Sequence, residues 1–358
     1  MVNIRDVAQK AGVSPSTAAR TFREPDLLTE QTQRRVLDAA RQVGYLPRVQ
    51  NITRASTKNK RAVSETVTDS IGFLFFARGP KDFVTSHTFY APVLGGAQAE
   101  AAACGMNFLL HTVDFTAVDA PLPRMIVERT VGGLLLVGAV NRAIVEKFAV
   151  YIPKVVLVDN LDELGSYESV VSDGFGGGLA ATRHLIELGH RRIGFVATQR
   201  GVPTFQDRQR GYWCGLLEAG IVADPALSLL PQAADDSRWQ ELGERLVQML
   251  QSENPPTALV AANDSCAAFT TWKLRGAGIR VPTDVSLVGF DDVALATTTD
   301  PPLTTVRVDR EAMGRVAVRR LATLLKSDAA TNEAQLPPGQ YKIPVTLIVR
   351  ESSSALAT

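Results

Sequence analysis

Residues 3–22 run N-I-R-D-V-A-Q-K-A-G-V-S-P-S-T-A-A-R-T-F. Ile4, Val7, Ala8 and Ala11 recur at helical spacing. Gly12 then interrupts, as suits a left-handed residue that ends a helix. Ser14 can cap a second helix, and Pro15 in its first turn loses no useful N–H. Two short helices joined by a tight glycine turn make a helix-turn-helix, whose second helix can enter the major groove of DNA. Helix–Gly–helix also occurs in small helical domains of other kinds, so the surroundings decide its weight. A third amphipathic helix is predicted over Glu30 to Val43, with Val36, Leu37, Ala39, Ala40 and Val43 as its apolar stripe. Thr29 is its expected N-cap and Gly44 its stop.

Charge points the same way. Residues 1–61 hold 12 Lys/Arg against 5 Asp/Glu, a net of +7, whereas the remainder holds 26 against 32, a net of −6. The overall +1 hides this asymmetry. A basic head on a mildly acidic body is the electrostatic footprint of a nucleic-acid-binding head. With 358 residues, 45% hydrophobic and 21% charged, the chain has room for two or three globular domains. The expected division is a head over 1–47, a hinge or linker over 48–70 and a large body over 71–358. Cys104, Cys214 and Cys266 are far apart and lack metal or CxxC spacing, so they are expected to be reduced, buried thiols of a cytoplasmic protein. No apolar run reaches transmembrane length, and the stretch around Val131 to Val140 suits a buried strand.

From Arg48 to Asp69 the chain turns polar, without an apolar period, as a hinge or tether would. Its first half is basic, so it is either an inert tether or a segment that follows a phosphate backbone. From Ile71 onward short β-rich runs alternate with amphipathic helices. Strands are predicted at Ile71–Phe76, Met106–Val113, Gly133–Val137, Val155–Val158, Val170–Ser172, Ile193–Ala197, Ala258–Ala262, Val285–Gly289 and Thr304–Val308, with a late one at Tyr341–Val349. Among the intervening helices are Gly177–Leu188, Arg208–Ala219, Trp239–Leu250, Ser265–Ala277 and Arg310–Lys326. Continuous apolar strands flanked by such helices mean buried, doubly wound parallel sheets. Nearly 280 residues are too many for one such sheet, so two similar α/β lobes with a cleft between them are expected.

Ligands of such sheets bind outside the carboxyl ends of the strands. Those ends carry Asp159, Asp173, Asn263, Asp264, Asp291 and Asp292. Converging polar groups there can grip a polyhydroxylated or heterocyclic small molecule, although Asp173 and Asp264 read better as helix caps. Gly174, Gly176, Gly177 and Gly178 follow a strand, but Leu179 breaks the G-x-G-x-x-G spacing, so no dinucleotide cofactor is expected and close helix-on-sheet packing is. No Walker sequence, Gly-x-Ser-x-Gly elbow or nucleophile–base pair occurs. His87, His111, His184 and His190 lack metal spacing, and His190–Arg191–Arg192 reads as a structural turn. Neither enzyme activity nor a bound metal is expected.

At this point the chain resembles the lactose/galactose repressor (LacI/GalR) family of bacterial transcription regulators. The resemblance rests on I-R-D-V-A-Q-K-A-G-V-S and R-R-V-L-D-A-A-R-Q-V-G-Y-L-P in the head. In the body it rests on H-L-I-E-L-G-H-R-R-I-G-F-V, R-Q-R-G-Y-W, A-A-N-D, D-V-S-L-V-G-F-D-D, D-P-P-L-T-T-V-R-V-D and P-V-T-L-I-V-R-E-S. It implies a cytoplasmic, nucleoid-associated homodimeric regulator, a repressor by preference. Its head would read double-stranded operator DNA, and its periplasmic-binding-protein-like body would close on a small-molecule effector, a sugar or derivative. By resemblance Ser14, Pro15, Ser16, Thr17 and Arg20 occupy the DNA-reading helix, and Arg23, Arg48, Asn51 and Arg54 are further DNA contacts. Pro15 and Ser16, at the two positions that most often choose bases, cannot make a bidentate base contact; Arg20 can. The resemblance also places Phe89, Tyr90, Asp159, Arg208, Asn263, Asp291 and Arg310 at the effector.

Three departures bear on this. Asn51 and Arg54 stand where the family's hinge helix carries alanine and a leucine wedge, and the link to the body is longer by about ten residues. Arg310 stands where an apolar or aromatic residue is usual. The aromatic expected near Pro231 to Ala233 is missing. Two arginines where one is usual imply an anionic effector, such as a sugar acid or a phosphorylated sugar. Competing readings are a sugar-binding receptor-type protein with weakened or non-specific DNA binding, and an enzyme on the same scaffold, which the lack of a catalytic constellation disfavours.

Overall fold

The computed structural model describes residues 3–22, 28–43, 45, 69–77, 79–114, 122–138, 140–162, 164–232, 237–326 and 337–356. The head is three helices: α1 (Ile4–Ala11), α2 (Pro15–Thr21) and α3 (Glu30–Val43). Asn3 opens α1 with a reciprocal capping box to Asp6, and Gly12 closes it at φ +63°. Ser14 caps α2 by accepting from the Thr17 N–H at 3.0 Å. Thr29 accepts from the Thr32 N–H at 3.4 Å at the start of α3. Val7, Ala8, Ala11, Ala18, Val36, Ala39 and Ala40 form the small core between them. The Arg35 guanidinium donates to the Ala11 carbonyl at 2.6 Å and so ties α3 to the end of α1.

The body follows as β1 (Ser70–Ala77), α4 (Gly79–Ala103), β2 (Asn107–Asp114), α5 (Arg124–Val127), β3 (Gly133–Val137), α6 (Arg142–Ala149), β4 (Val155–Val158) and β5 (Glu168–Ser172). Then come α7 (Gly174–Glu187), β6 (Ile193–Val196), α8 (Pro203–Glu218), β7 (Ser228–Leu229), α9 (Ser237–Leu250), β8 (Ala258–Ala261), α10 (Asp264–Gly276) and β9 (Ser286–Val288). The last are α11 (Leu295–Thr298), β10 (Thr305–Val308), α12 (Arg310–Lys326), β11 (Gln340–Ile343) and β12 (Val345–Ile348). One lobe is built on a six-stranded parallel sheet of order β11-β5-β4-β3-β1-β2. The other is built on a four-stranded parallel sheet of order β7-β6-β8-β9, extended by the antiparallel pair β10-β12.

The chain passes between the lobes three times, after Ser172, after Val308 and after Ile343. The third passage corrects the single late strand expected over Tyr341–Val349. Pro344 has no N–H to give a ladder, and the run divides there. β11 pairs parallel with β5 in one lobe, and β12 pairs antiparallel with β10 in the other. β7 is a further strand that the sequence pattern did not mark; two residues are too few for a period.

Each lobe locks a helix pair through glycine. A Cβ on Gly96 of α4 would lie 2.1 Å from the Glu311 carbonyl oxygen, and one on Gly314 of α12 would lie 2.0 Å from that of Val93. In the second lobe a Cβ on Gly178 of α7 would lie 2.1 Å from the Arg208 carbonyl oxygen, and one on Gly211 of α8 equally close to that of Phe175. Gly177 packs on the sheet side, under Phe290 and Val306. The glycine run therefore serves helix-on-helix as well as helix-on-sheet contact. The cysteines are free, but only Cys266 is buried; Cys104 is exposed and Cys214 is half-buried, which corrects the expectation of three buried thiols. His190 shares its ring nitrogens with Thr257, Ser286 and the Ser354 carbonyl, and His184 meets Ser353, so both hold the C-terminal segment against the second lobe.

Candidate functional site

Two regions collect the expected site residues. In the head, Ser14, Pro15, Ser16 and Arg20 are exposed along α2, with Thr17 half-buried. The Ser14 hydroxyl is shared with those of Ser16 and Thr17 at 2.8 Å each, which holds the first turn while its outer surface stays open. Arg23, Arg48, Asn51 and Arg54 lie outside the described residues, as does Gly44.

In the body, a cavity of about 1260 Å³ opens between the lobes at the carboxyl ends of their strands. Phe89, Tyr90, Asp159, Arg208, Asn263 and Asp291 all stand on its wall. Arg208 is 3% exposed, and its guanidinium lies 3.8 Å from the Phe290 ring centroid. Its Nη1 donates to the Ala262 carbonyl at 2.5 Å, and its Nη2 stands 3.1 Å from Asp291 Oδ1, without the angle of a hydrogen bond. Across the cleft the Tyr90 hydroxyl donates to Asp159 Oδ2 at 2.7 Å. Three buried atoms at this end have no hydrogen-bond partner among the described residues: Arg208 Nε, Asp159 Oδ1 and Asp291 Oδ1. Native interiors leave few such groups, and a cluster in one cavity marks a place for a polar ligand.

The backbone aims these carboxylates at some cost. Asp159 sits at φ +54° and Asp291 at φ +107°, conformations that cost about 1–3 kcal/mol in a residue other than glycine. The turn after β9 is therefore pinned from several sides. Asp264 accepts the Thr305 hydroxyl at 2.5 Å and the Val293 N–H at 2.9 Å. Asp292 is held by Arg307 and Arg350, each at 2.6 Å, which keep its carboxyl below the usual range against burial. Asn263 caps α10 through the Cys266 N–H, and Asp173 caps α7 through the Gly176 N–H.

Arg310 does not join the site. Its guanidinium donates to the Thr88 carbonyl at 3.0 Å in one lobe and the Asp292 carbonyl at 3.2 Å in the other, and it is absent from the cavity wall. A long side chain at the start of α12 reaches carbonyls on both sides of the cleft first. Arg208 and Arg310 therefore do not form a pair of cations for an anionic effector here. The aromatic missing near Pro231 to Ala233 has a substitute further along the chain. Trp239, at the start of α9, supplies a ring there, packed against Phe269 at 4.8 Å between centroids. Arg142, Asp162, Gln199, Arg200, Phe205 and Arg238 line the cavity as well and were missed. Gln199 follows the end of β6, so the strand-end rule could have found it.

Burial governs the charges. It raises the Asp291 carboxyl to about 8 despite Arg208, raises that of Asp264 to about 6, and raises Asp159 too. Burial and then Asp159 hold the Tyr90 phenol well above its usual value, so it stays a donor. One guanidinium cannot neutralise two buried carboxylates, and a retained proton relieves the pair. A carboxyl whose folded value lies above its unfolded one stabilises the fold below about pH 4 and loses that contribution as pH rises through the folded value. For these residues the loss runs from about pH 4 to about pH 8. Asp159→Asn removes one charge, keeps an acceptor for Tyr90 and tolerates the positive φ. The unliganded variant is expected to melt above the parent at pH 8, by ~2–4 °C for each kcal/mol relieved, and by less at pH 5. Equal or lower melting at pH 8 would contradict the charge imbalance.

Comparisons with known proteins agree with this build. The profile of bacterial regulatory proteins of the lacI family matches residues 3–48, and that of the periplasmic binding protein-like domain matches residues 182–353. The chain is 32% identical over 354 residues to the HTH-type transcriptional regulator RegA of Clostridium saccharobutylicum, covering 98% of this chain and 99% of that one. It is 27% identical over 364 residues to the repressor CytR of Escherichia coli K12, covering 99% and 96%. Among solved structures it superposes on the transcriptional regulator CelR in complex with cellobiose at a TM-score of 0.70, with 26% identity, over 98% of this chain and all of that one. A LacI family regulator from Mycobacterium smegmatis gives 0.67 and 26%, over 80% and 99%. Each of these relatives is a transcription regulator, and no described helix here is long and apolar enough to cross a membrane. A capped helix-turn-helix, a two-lobed body with a polar cleft and a full-length relative at 32% identity together place the chain in the LacI family of DNA-binding transcriptional regulators.

Proposed function

We propose that the protein works as a homodimeric repressor whose affinity for operator DNA is set by a sugar or sugar derivative bound between the lobes. The observation that carries this reading is the convergence of Asp159 Oδ1, Asp291 Oδ1 and Arg208 Nε, buried and without hydrogen bonds among the described residues, on one cavity. Carboxylates accept from hydroxyls and the guanidinium donates to them, so the set fits vicinal hydroxyl groups. The rings of Tyr90 on one side of the cavity and of Phe205 and Trp239 on the other give apolar faces against which a sugar ring can lie. The cellobiose in CelR, a relative of the same length and fold, supports the ligand class. Asp264, Asp292 and Arg310 serve this site by positioning the Asp291 turn.

Calorimetric titration of the full-length chain with mono- and disaccharides tests the reading, with Asp291→Asn as the control that should abolish any signal. Heat that survives in that variant, or none with any carbohydrate, would defeat it. On the DNA side, Arg20 is the residue of α2 able to make a bidentate base contact, and Pro15 and Ser16 cannot. Arg20→Ala is expected to weaken operator binding by about 1–3 kcal/mol and to relax the preference at one base position. A footprint and a gel-shift titration at fixed salt measure both. A variant that loses affinity equally for all sequences would make Arg20 a phosphate contact instead.

A further inference from the structure

The wall contributed by the second lobe holds a feature that hydroxyl recognition does not use. We propose that the N-terminus of α8, with Arg200 and Gln209, forms a subsite for an anionic substituent, a carboxylate or a phosphate, carried by the ligand of the main cavity. The inference rests on the ligand reading above and specifies its chemistry. α8 is 16 residues long and opens at Pro203, and its N-cap residue, Val202, gives no side-chain hydrogen bond to the first turn. Gly201 to Gln206 line the main cavity, so the helix start, where backbone N–H groups lack intrahelical acceptors, stands beside ligand space.

A side pocket of about 140 Å³ branches off beside this helix start, sharing Gln199, Arg200, Phe205 and Gln206 with the main cavity. That is the space of about four or five waters, or of one carboxylate or phosphate group. Gln209 closes it from the next turn of α8. It is 7% exposed, and its Nε2 is buried without an acceptor among the described residues. A buried amide donor without an acceptor is costly, and an oxygen-rich group in the pocket would satisfy it. The exposed guanidinium of Arg200 spends its Nε on the Leu230 carbonyl at 3.3 Å and stands on the pocket wall. None of the described residues lining the pocket is acidic. The main cavity, by contrast, carries Asp159, Asp162 and Asp291. A ligand therefore meets acceptors for its hydroxyls at one end and donors for an anion at the other.

Full-length protein is titrated with matched probes: cellobiose against cellobionate, and glucose against glucuronate and glucose 6-phosphate. Melting is followed with inorganic phosphate against chloride at equal ionic strength. The charged partner of at least one pair is expected to bind at least about tenfold tighter than its neutral parent. Arg200→Ala should bring that ratio below about threefold, and Gln209→Leu should do the same. Phosphate should raise the melting temperature of the parent and not of Arg200→Ala, a surface change that should fold even if Gln209→Leu does not. Carboxylate and phosphate probes separate the two sources of the anion. Neutral sugars binding as tightly as their charged forms would overturn the subsite and leave the carbohydrate reading standing. Phosphate stabilisation lost in Arg200→Ala, with no sugar binding at all, would overturn the carbohydrate reading and support the subsite. A charge preference or phosphate effect that persists in both variants overturns the subsite.

Discussion

Arg208→Met is expected to abolish ligand binding at every pH and to destabilise the unliganded protein by about 3–5 kcal/mol well above pH 8, where Asp291 is ionised in the parent. The guanidinium is the counter-ion of Asp291 at 3.1 Å, the donor to the Ala262 carbonyl and the cation over the Phe290 ring. Methionine fills the volume over Phe290 and keeps some contact with the ring. It leaves Asp291, 7% exposed, without an opposite charge in a site that already raises its carboxyl to about 8. The sign of the pH dependence follows from that residue. With the guanidinium gone, the folded-state carboxyl rises further above its unfolded value, so the loss is greatest at high pH and shrinks as pH falls and Asp291 takes a proton. Thermal melts at pH 5 and at about pH 9.5, with calorimetric titration at both, would show recovery of stability at pH 5 without recovery of binding. Arg208→Lys should fall between, because one ammonium cannot both stack on Phe290 and reach two acceptors on different strand ends. Stability and binding that return together at pH 5 would mean that Arg208 serves only the fold.

What the sequence could disclose follows the range of the interactions that make each part. The head depends on contacts within a few residues: the Ser14 and Thr29 caps, the Gly12 turn and the stripe on α3 are local, and all were readable. The strand-end rule found Asp159, Asn263 and Asp291 because parallel sheets carry their ligands there whatever the loops do. It could not find Trp239 and Arg238, which reach the cavity from the start of α9, nor Gln209, one residue past Arg208 on α8. The starts of α7 at Gly174 and α8 at Pro203 fell before the expected Gly177 and Arg208. Glycine in α7 reads as a breaker until the close approach of α8 gives it a reason. Arg310 was misplaced because its residue type was legible and its partners, one carbonyl in each lobe, were not. The division of residues 341–349 between two sheets is likewise a matter of partners far away in the chain, with Pro344 the only local sign.

Gly178→Ala should cost about 1–3 kcal/mol, the range for overpacking a tight core, and ligand affinity should fall with it. The added methyl would stand 2.1 Å from the Arg208 carbonyl oxygen, 2.9 Å from its carbonyl carbon and 3.1 Å from its Cα. Backbone cannot swing aside as a side chain can, so α8 must move away from α7 along the turn that carries Arg208. The neighbouring approaches of Gly211 to Phe175 and of Gly215 to Thr182 leave no slack on either side. Relieving that contact takes a shift of about 1 Å at that turn, which moves the guanidinium off Phe290 and Asp291 together. Gly95→Ala is the matched control. It too lies in a helix, beside the tightly packed Gly96, yet a Cβ there meets nothing within 4 Å. Replacing it should stabilise α4 by about 0.5–1 kcal/mol, since alanine has less chain entropy to lose. Opposite signs from the two substitutions, read as melting temperatures, would locate the cost in the α7–α8 crossing and not in helix propensity. A stable Gly178→Ala variant with full ligand affinity would show that the two helices are not rigidly coupled, and with it the account of how Arg208 is held in place would fail.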